Sequence, residues 1–131
     1  MPLSQSSSLY WVANAYATIT VGFGINALLR PDAALSMFEF EPPAAAAEHH
    51  LVNRLMAVYG VRDIFMGLAI YVAASLGTRK SLGWTLVSTC AVAMADGLIC
   101  LLDGHNQWGH WSHGLMIGVV GTILLGVLDR S

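Results

Sequence analysis

Six ionisable side chains lie inside, or at the start of, otherwise apolar stretches of the chain: Arg54, Arg62, Asp63, Asp96, His110 and His113. Burying a charge in an apolar medium is costly, so such groups pair with one another or line a wet cavity. Carboxylates and imidazoles in such a cavity are suited to donate and accept protons. The residue types therefore predict an acid–base site, in which the arginines hold a carboxylate or a developing oxyanion.

The same charges also have a structural interpretation. Two arginines and two aspartates on neighbouring helices can form a neutral network that only pins the helices together. The spacing of His110 and His113 puts two imidazoles on one helical face, which also suits a metal or haem. However, the sequence has no HExxH motif, no Glu-x-x-His pair and no thiolate cluster. We therefore predict no metal and no cofactor.

The composition indicates the medium in which these residues work. Hydrophobic residues make up 56% of the 131 positions and charged residues 11%, whereas soluble domains carry about 25% charged residues. So few charges cannot cover a water-exposed globule, and an integral membrane protein is predicted. A net charge of −2 provides no basic surface for nucleic acid. The length allows a single domain, residues 1–131.

Four apolar segments predict the elements that position the charges. They cover about residues 9–29, 46–77, 82–102 and 111–128, and a short interfacial helix is expected over 32–38. The first segment has more than 18 uncharged residues in a row, as a membrane span requires. The predicted fold is all-α, a four-transmembrane-helix bundle with the interfacial helix between helices 1 and 2.

Loop charges predict the orientation. Arg79, Lys80 and Arg130 would lie on one side, and the other side holds Arg30. The positive-inside rule then puts both termini in the cytoplasm, with the protein in the endoplasmic reticulum or another internal membrane. The start of the chain has no basic residue, so the first segment is expected to be retained as a span and not cleaved as a signal peptide.

Several motifs resemble those of a widespread family of small four-helix membrane proteins. They are Gly24-Ile-Asn-Ala-Leu-Leu-Arg-Pro31, Arg54, Gly60-Val-Arg-Asp-Ile-Phe-Met-Gly67, Asp96-Gly97 and His113. The family is mostly fungal and bacterial, is classed as a domain of unknown function and is loosely similar to DoxX-like proteins. The resemblance covers about residues 22–127. Some fungal members accompany secondary-metabolite pathways, which implies cyclase, isomerase or epoxide-opening activity at the charged residues.

The leading hypothesis is a cofactor-independent membrane enzyme that isomerises, cyclises or opens an epoxide in a lipophilic terpenoid- or polyketide-like molecule. The catalytic candidates are Arg62, Asp63, Asp96 and His113. The substrate-binding candidates are Asn26, Arg54, Tyr59, His110 and Trp111.

Two other classes of function are open. One is a small dimeric transporter or binding protein, in which the stripe Gly114, Gly118, Thr122 and Gly126 faces a second copy. The other is a structural membrane subunit without catalysis. The expected partners are a lipophilic small molecule, membrane lipid and, as one option, a second copy of the chain.

Overall fold

Five α-helices and one short 3-10 helix form the part of the chain that a computed structural model describes, residues 2–129. The 3-10 helix is Leu3–Gln5, and the α-helices are α1 Ser7–Leu29, α2 Pro31–Ser36, α3 Ala46–Leu76, α4 Arg79–Leu102 and α5 Trp108–Leu124. Residues 2–129 contain no strand, so the prediction of an all-α chain is confirmed. Arg130, which entered the predicted orientation, lies outside the described residues.

Three of the helices, α1, α3 and α4, are long and apolar enough to cross a membrane. Many large apolar side chains on them point outward, among them Trp11, Phe65 and Leu76. Water would not favour such a surface, whereas lipid does. The three apolar helices and their exposed apolar side chains support the prediction of a membrane protein.

The short helix α2 differs slightly from its predicted range of 32–38. It begins at Pro31 and ends at Ser36. Proline is favoured at the first position of a helix because the amide hydrogen that it lacks would have no partner there.

Glycines bring α1 and α3 into close contact. A Cβ atom added at Gly24 would lie 2.5 Å from the carbonyl oxygen of Gly60, and one added at Gly60 would lie 2.6 Å from the carbonyl oxygen of Gly24. A Cβ at Gly67 would lie 2.7 Å from the carbonyl oxygen of Ala17. Because no other residue fits at these distances, glycine allows the two backbones to touch.

The pair α4 and α5 is built in the same way. A Cβ at Gly83 would lie 2.9 Å from the carbonyl oxygen of Gly121, and one at Gly118 would lie 2.7 Å from the sulfur of Cys90. Gly114 likewise packs against α4. Gly114 and Gly118 belong to the stripe that the sequence suggested as a dimer face. In the structure both glycines pack against α4 of the same chain, so they do not support a dimer face. Dimer formation stays a prediction.

The two ends of the chain meet at one end of the helices. The backbone amide and the hydroxyl of Ser4 donate hydrogen bonds to the carboxylate of Asp129, at 3.0 and 2.5 Å. These bonds hold the pKa of Asp129 below its usual value. Arg79 donates to the carbonyl oxygen of Ser6 at 3.1 Å. The two helix pairs are therefore tied together at this end.

A continuous apolar core fills the half of the molecule nearest the termini. Its members are buried side chains from all four long helices: Ala13, Tyr16, Ala17, Ile70, Leu82, Leu86, Ile117, Val120 and Leu124. A second, smaller cluster packs α2 against α1 and α3, through Ala27, Ala34, Leu35 and Met56. The charged residues lie between these two cores.

Replacing Gly24 with alanine is expected to lower the free energy of unfolding by about 1–3 kcal/mol, because the added methyl group collides with α3. Gly22 is the matched control, because it lies on the same helix and a Cβ there has no atom within 4 Å. Gly22→Ala should leave stability unchanged or raise it, since alanine favours helix by about 1 kcal/mol over glycine. Unfolding in detergent micelles measures both variants. Equal stability of the two would contradict the close packing of α1 on α3.

Candidate functional site

A cavity of about 530 Å³ lies between the helix pairs. The four helices α1, α3, α4 and α5 line the cavity, together with one residue that follows α2. The lining residues are Tyr16, Ile19, Thr20, Phe23, Met37, Tyr59, Asp63, Met66, Thr89, Val92, Ala93, Asp96, Gly109, His110, His113 and Met116. Cavities of about 300–1,000 Å³ with mainly apolar walls and a few polar groups are typical of small-molecule sites. The cavity is therefore the candidate functional site.

Arg62 joins the two carboxylates of this cavity. Its two terminal nitrogens donate to the two oxygens of Asp96, at 3.0 and 2.7 Å. It also donates to Oδ1 of Asp63, at 3.4 Å from Nε and 3.3 Å from one terminal nitrogen. Asp96 thus receives a bidentate ion pair, which is the stronger and more directional arrangement. The two bonds that Arg62 gives Asp63 are longer.

The cluster of Arg62, Asp63 and Asp96 has one more negative charge than positive charge when all three groups are ionised. The side chains of Asp63 and Asp96 are 6% and 13% exposed, and that of Arg62 is 36% exposed. The guanidinium also lies over the ring of Tyr59, at 4.5 Å from its centroid. A buried site with excess negative charge favours a bound proton or a cationic ligand.

The local sequence explains how the charges reach the cavity. Gly60, Asp63 and Gly67 follow helical spacing and are the buried face of α3 toward its neighbours. Gly60 lets α1 approach, so that Asp63 is covered while Arg62 reaches across to α4. In α4, Gly97 follows Asp96 and leaves room for the indole of Trp111. The Gly-x-Arg-Asp motif therefore combines a packing residue with two cavity residues.

Two histidines of α5 also line the cavity. The imidazole of His110 stacks against Phe38 at 4.6 Å, and that of His113 against Phe23 at 6.4 Å between ring centroids. The Nε2 atom of His110 is buried and has no hydrogen-bond partner among the described residues. An unpaired buried nitrogen is free to bond a ligand or an ordered water.

The connection between α2 and α3 crosses from one helix pair to the other beside the cavity. Met37 lines the cavity, and the ring of Phe38 packs at 5.1 Å from that of Tyr59. The carboxylate of Glu39 accepts a hydrogen bond from the backbone amide of Asn106 at 3.0 Å and lies 3.7 Å from His105. These contacts attach the connection to the turn between α4 and α5.

Five of the nine predicted site residues line the cavity: Tyr59, Asp63, Asp96, His110 and His113. Arg62 is not part of the lining, but it links the carboxylates of Asp63 and Asp96. The other three, Asn26, Arg54 and Trp111, are not part of the lining.

Arg54 corrects one sequence-based expectation. It is exposed and forms no ion pair or hydrogen bond among the described residues. The proposed neutral network of two arginines and two aspartates is therefore wrong in its membership, because only Arg62 joins the aspartates. The indole of Trp111 donates to the carbonyl oxygen of Met94 at 3.1 Å and packs between α4 and α5.

The sequence analysis missed the wall that α1 contributes. Tyr16, Thr20 and Phe23 point into the cavity, and their spacing of four and three residues puts them on one helical face. This polar and aromatic stripe in an apolar segment was the signal that could have identified them. From α1 the sequence analysis named only Asn26, which is not part of the lining.

No three His, Cys, Asp or Glu side chains within residues 2–129 converge as ligands of one metal ion would. The guanidinium of Arg62 lies between the two cavity carboxylates, in the position that a metal ion bound by both of them would need.

A family model described as a domain of unknown function, DUF4267, matches residues 17–124. The chain belongs to the DUF4267 family. No curated protein and no solved structure is significantly similar to it. In this DUF4267 protein the matched region contains the charged cluster, both cavity histidines and all of the cavity lining except Tyr16. The family description assigns no activity to these residues.

Proposed function

We propose that this DUF4267 protein is a membrane-embedded enzyme that transforms a lipophilic small molecule by acid–base chemistry. Isomerisation, cyclisation and epoxide opening each require a proton donor, a proton acceptor and an apolar cavity that excludes water. The observation that carries the proposal is the buried pair Asp63 and Asp96, which shares one arginine beside a cavity of about 530 Å³. No cofactor is needed for these reactions.

The two carboxylates have different roles in this proposal. Both oxygens of Asp96 are engaged by Arg62, so Asp96 holds the guanidinium in place. Arg62 donates only long hydrogen bonds to Asp63, and the side chain of Asp63 lines the cavity, so we assign the proton exchange with the substrate to Asp63. Asp63 then gives its proton to a substrate oxygen or carbon, and a second proton leaves the substrate for the imidazole of His113. The substrate therefore keeps its number of protons, and the cycle closes when the proton on His113 passes back to Asp63.

The membrane placement that goes with this function has four spans, with α5 as the fourth. Its 17 residues extend about 26 Å, close to the roughly 30 Å thickness of the hydrocarbon core. The 31 residues of α3 extend about 46 Å, so α3 must tilt or protrude. If its N-terminal end protrudes, Arg54 lies at the interface, where an exposed arginine is tolerated.

We propose that both termini face the cytoplasm of an internal membrane, such as the endoplasmic reticulum. Single cysteines introduced at Ser6 and Thr78 should then react with a membrane-impermeant thiol reagent from one side, and those at Glu41 and Gln107 from the other. Cys90 and Cys100 are first replaced by alanine, so that they do not react. Labelling of Thr78 and Gln107 from the same side would contradict the four spans.

A substrate screen tests the proposed activity. Membrane vesicles that contain the protein are incubated with lipophilic epoxides, polyenes and polyketide-like ketones, and the products are separated by mass spectrometry. We expect at least one compound to be converted into an isomer or an opened epoxide, and vesicles that carry the doubly substituted protein, Asp63→Asn with Asp96→Asn, to leave it unchanged. No conversion of any class by folded protein would contradict the proposal.

The uncompensated carboxylate also suits a proton-coupled carrier, which is the second candidate. A carrier binds a proton or a cationic substrate at the same group and moves it across the membrane, and the substrate is not chemically changed. Uptake of an unchanged compound into sealed vesicles, driven by a proton gradient and lost in Asp63→Asn, would favour this function. A purely structural subunit has no use for the cavity beside the cluster.

A further inference from the structure

We infer that the cavity selects a lipophilic molecule whose reacting end is positively charged, either in the bound molecule or as a proton is added to it. The inference rests on the proposed function, because it names the substrate class of the same site. The inference gives the ligand a positive charge. The sequence analysis had instead expected a negative one, a carboxylate or an oxyanion held by the arginines.

The first support is the balance of charge at the cluster. One guanidinium faces two carboxylates, and the remaining polar groups of the lining are tyrosines, threonines and histidines. A ligand with one positive charge neutralises the ionised cluster. A ligand with a negative charge increases the imbalance, which is unfavourable in a medium of low dielectric constant.

The second support is the engagement of Arg62. Its nitrogens already make four hydrogen bonds to the two aspartates, and one face of its guanidinium lies over Tyr59. An incoming carboxylate would have to displace Asp63 or Asp96 from the arginine. Arg62 is therefore not available as an anion site.

The third support is the character of the walls. Aromatic rings attract cations to their faces, and Tyr16 and Phe23 line the cavity. Met37, Met66 and Met116 complete the apolar wall, and the flexible thioether side chains adapt to irregular ligands. The cavity thus offers an apolar body site next to a negative and aromatic head site.

Three probes of equal chain length separate the possible charges: dodecyldimethylamine, dodecanol and dodecanoate. Their binding to the full protein in phosphatidylcholine nanodiscs is measured at pH 7, with empty nanodiscs as the correction for partition into lipid. We expect the amine to bind about tenfold or more tightly than the alcohol, as one added charge interaction of about 1.4 kcal/mol implies. Dodecanoate should bind most weakly.

Variants connect this preference with the cluster. Asp63→Asn and Asp96→Asn each leave one carboxylate with Arg62, so each should reduce the amine preference to about threefold or less. If Asp63→Asn does not fold, Asp96→Asn alone provides the test. The control is Asp103→Asn, because Asp103 is exposed and lies outside the cavity; this variant should keep the preference. Equal or tighter binding of dodecanoate, or an amine preference unchanged in both cluster variants, would overturn the inference.

The two proposals fail in different ways. Conversion of a substrate by a protein that shows no amine preference would overturn the cation inference and leave the acid–base activity in place. Selective amine binding by a protein that converts no compound would support the cation site and contradict the enzyme.

Discussion

Replacing Arg62 with methionine is expected to lower the free energy of unfolding by about 3 kcal/mol. Removing one partner of a buried ion pair costs about 3–5 kcal/mol, because a buried charge is left without compensation. Here two carboxylates, 6% and 13% exposed, would lose their shared cation. The lower end of the range applies, because the guanidinium is itself 36% exposed. Unfolding in detergent micelles, followed by circular dichroism, measures the change.

Arg54→Met is the matched control for this variant, because Arg54 lies on the same helix, is exposed and has no polar partner among the described residues. Its effect should be within about 0.5 kcal/mol, as for most surface substitutions. Arg62→Lys should fall between the two, because an ammonium group cannot form the bidentate pair with Asp96. If Arg62→Met and Arg54→Met were equally stable, the ion pair across α3 and α4 would have no structural role.

Much of the fold followed from composition and hydrophobic runs. The predicted second segment, 46–77, corresponds to α3 at Ala46–Leu76, because a long apolar run bounded by Pro-Pro and Gly-Thr allows little else. The predicted segment ends were less accurate: α5 begins at Trp108, three residues before the predicted start. The side chain of Asn106 accepts a hydrogen bond from the amide of Trp108, which helps the helix begin before the apolar segment.

The candidate site followed from the sequence only in part. The cost of buried charge pointed to Asp63 and Asp96 correctly as neighbours, but it could not tell which arginine would pair with them. Arg54 and Arg62 are eight residues apart, which separates them by about 12 Å along the helix and about 80° around it. The position of α4 decides which arginine pairs with the aspartates, since Asp96 lies within reach of Arg62 and not of Arg54. Such a choice depends on how deep each helix packs, which a single sequence does not contain.

The pairing of helices was the other feature beyond sequence reasoning. Glycines at helical spacing indicated close contacts, and the sequence offered a second copy of the chain as the partner. The structure uses Gly24 and Gly60 between α1 and α3, and Gly83 and Gly121 between α4 and α5. Two tight pairs leave a space between them, and this space is the cavity. The role of α1 as a cavity wall follows from that arrangement.

Asp63→Asn is expected to lower turnover per folded molecule by about 10²–10⁴, the usual contribution of a positioned acid or base. The amide has nearly the shape of the carboxylate but cannot give or take the proton. Asp96→Asn should cost less, about tenfold, because Asp63 keeps its chemistry while Arg62 loses its bidentate partner. Single-turnover rates with the compound found in the screen, divided by the folded fraction from gel filtration, measure both.

The rate of Asp63→Asn relative to that of Asp103→Asn tests the acid–base role of the cavity most directly. Asp103 ends α4 in an exposed position outside the cavity, so the two variants make the same chemical change in different places. The cavity mechanism predicts that Asp103→Asn turns over at the wild-type rate, and that Asp63→Asn, although folded, is slower by about a hundredfold or more. Wild-type turnover per folded molecule in Asp63→Asn would contradict it.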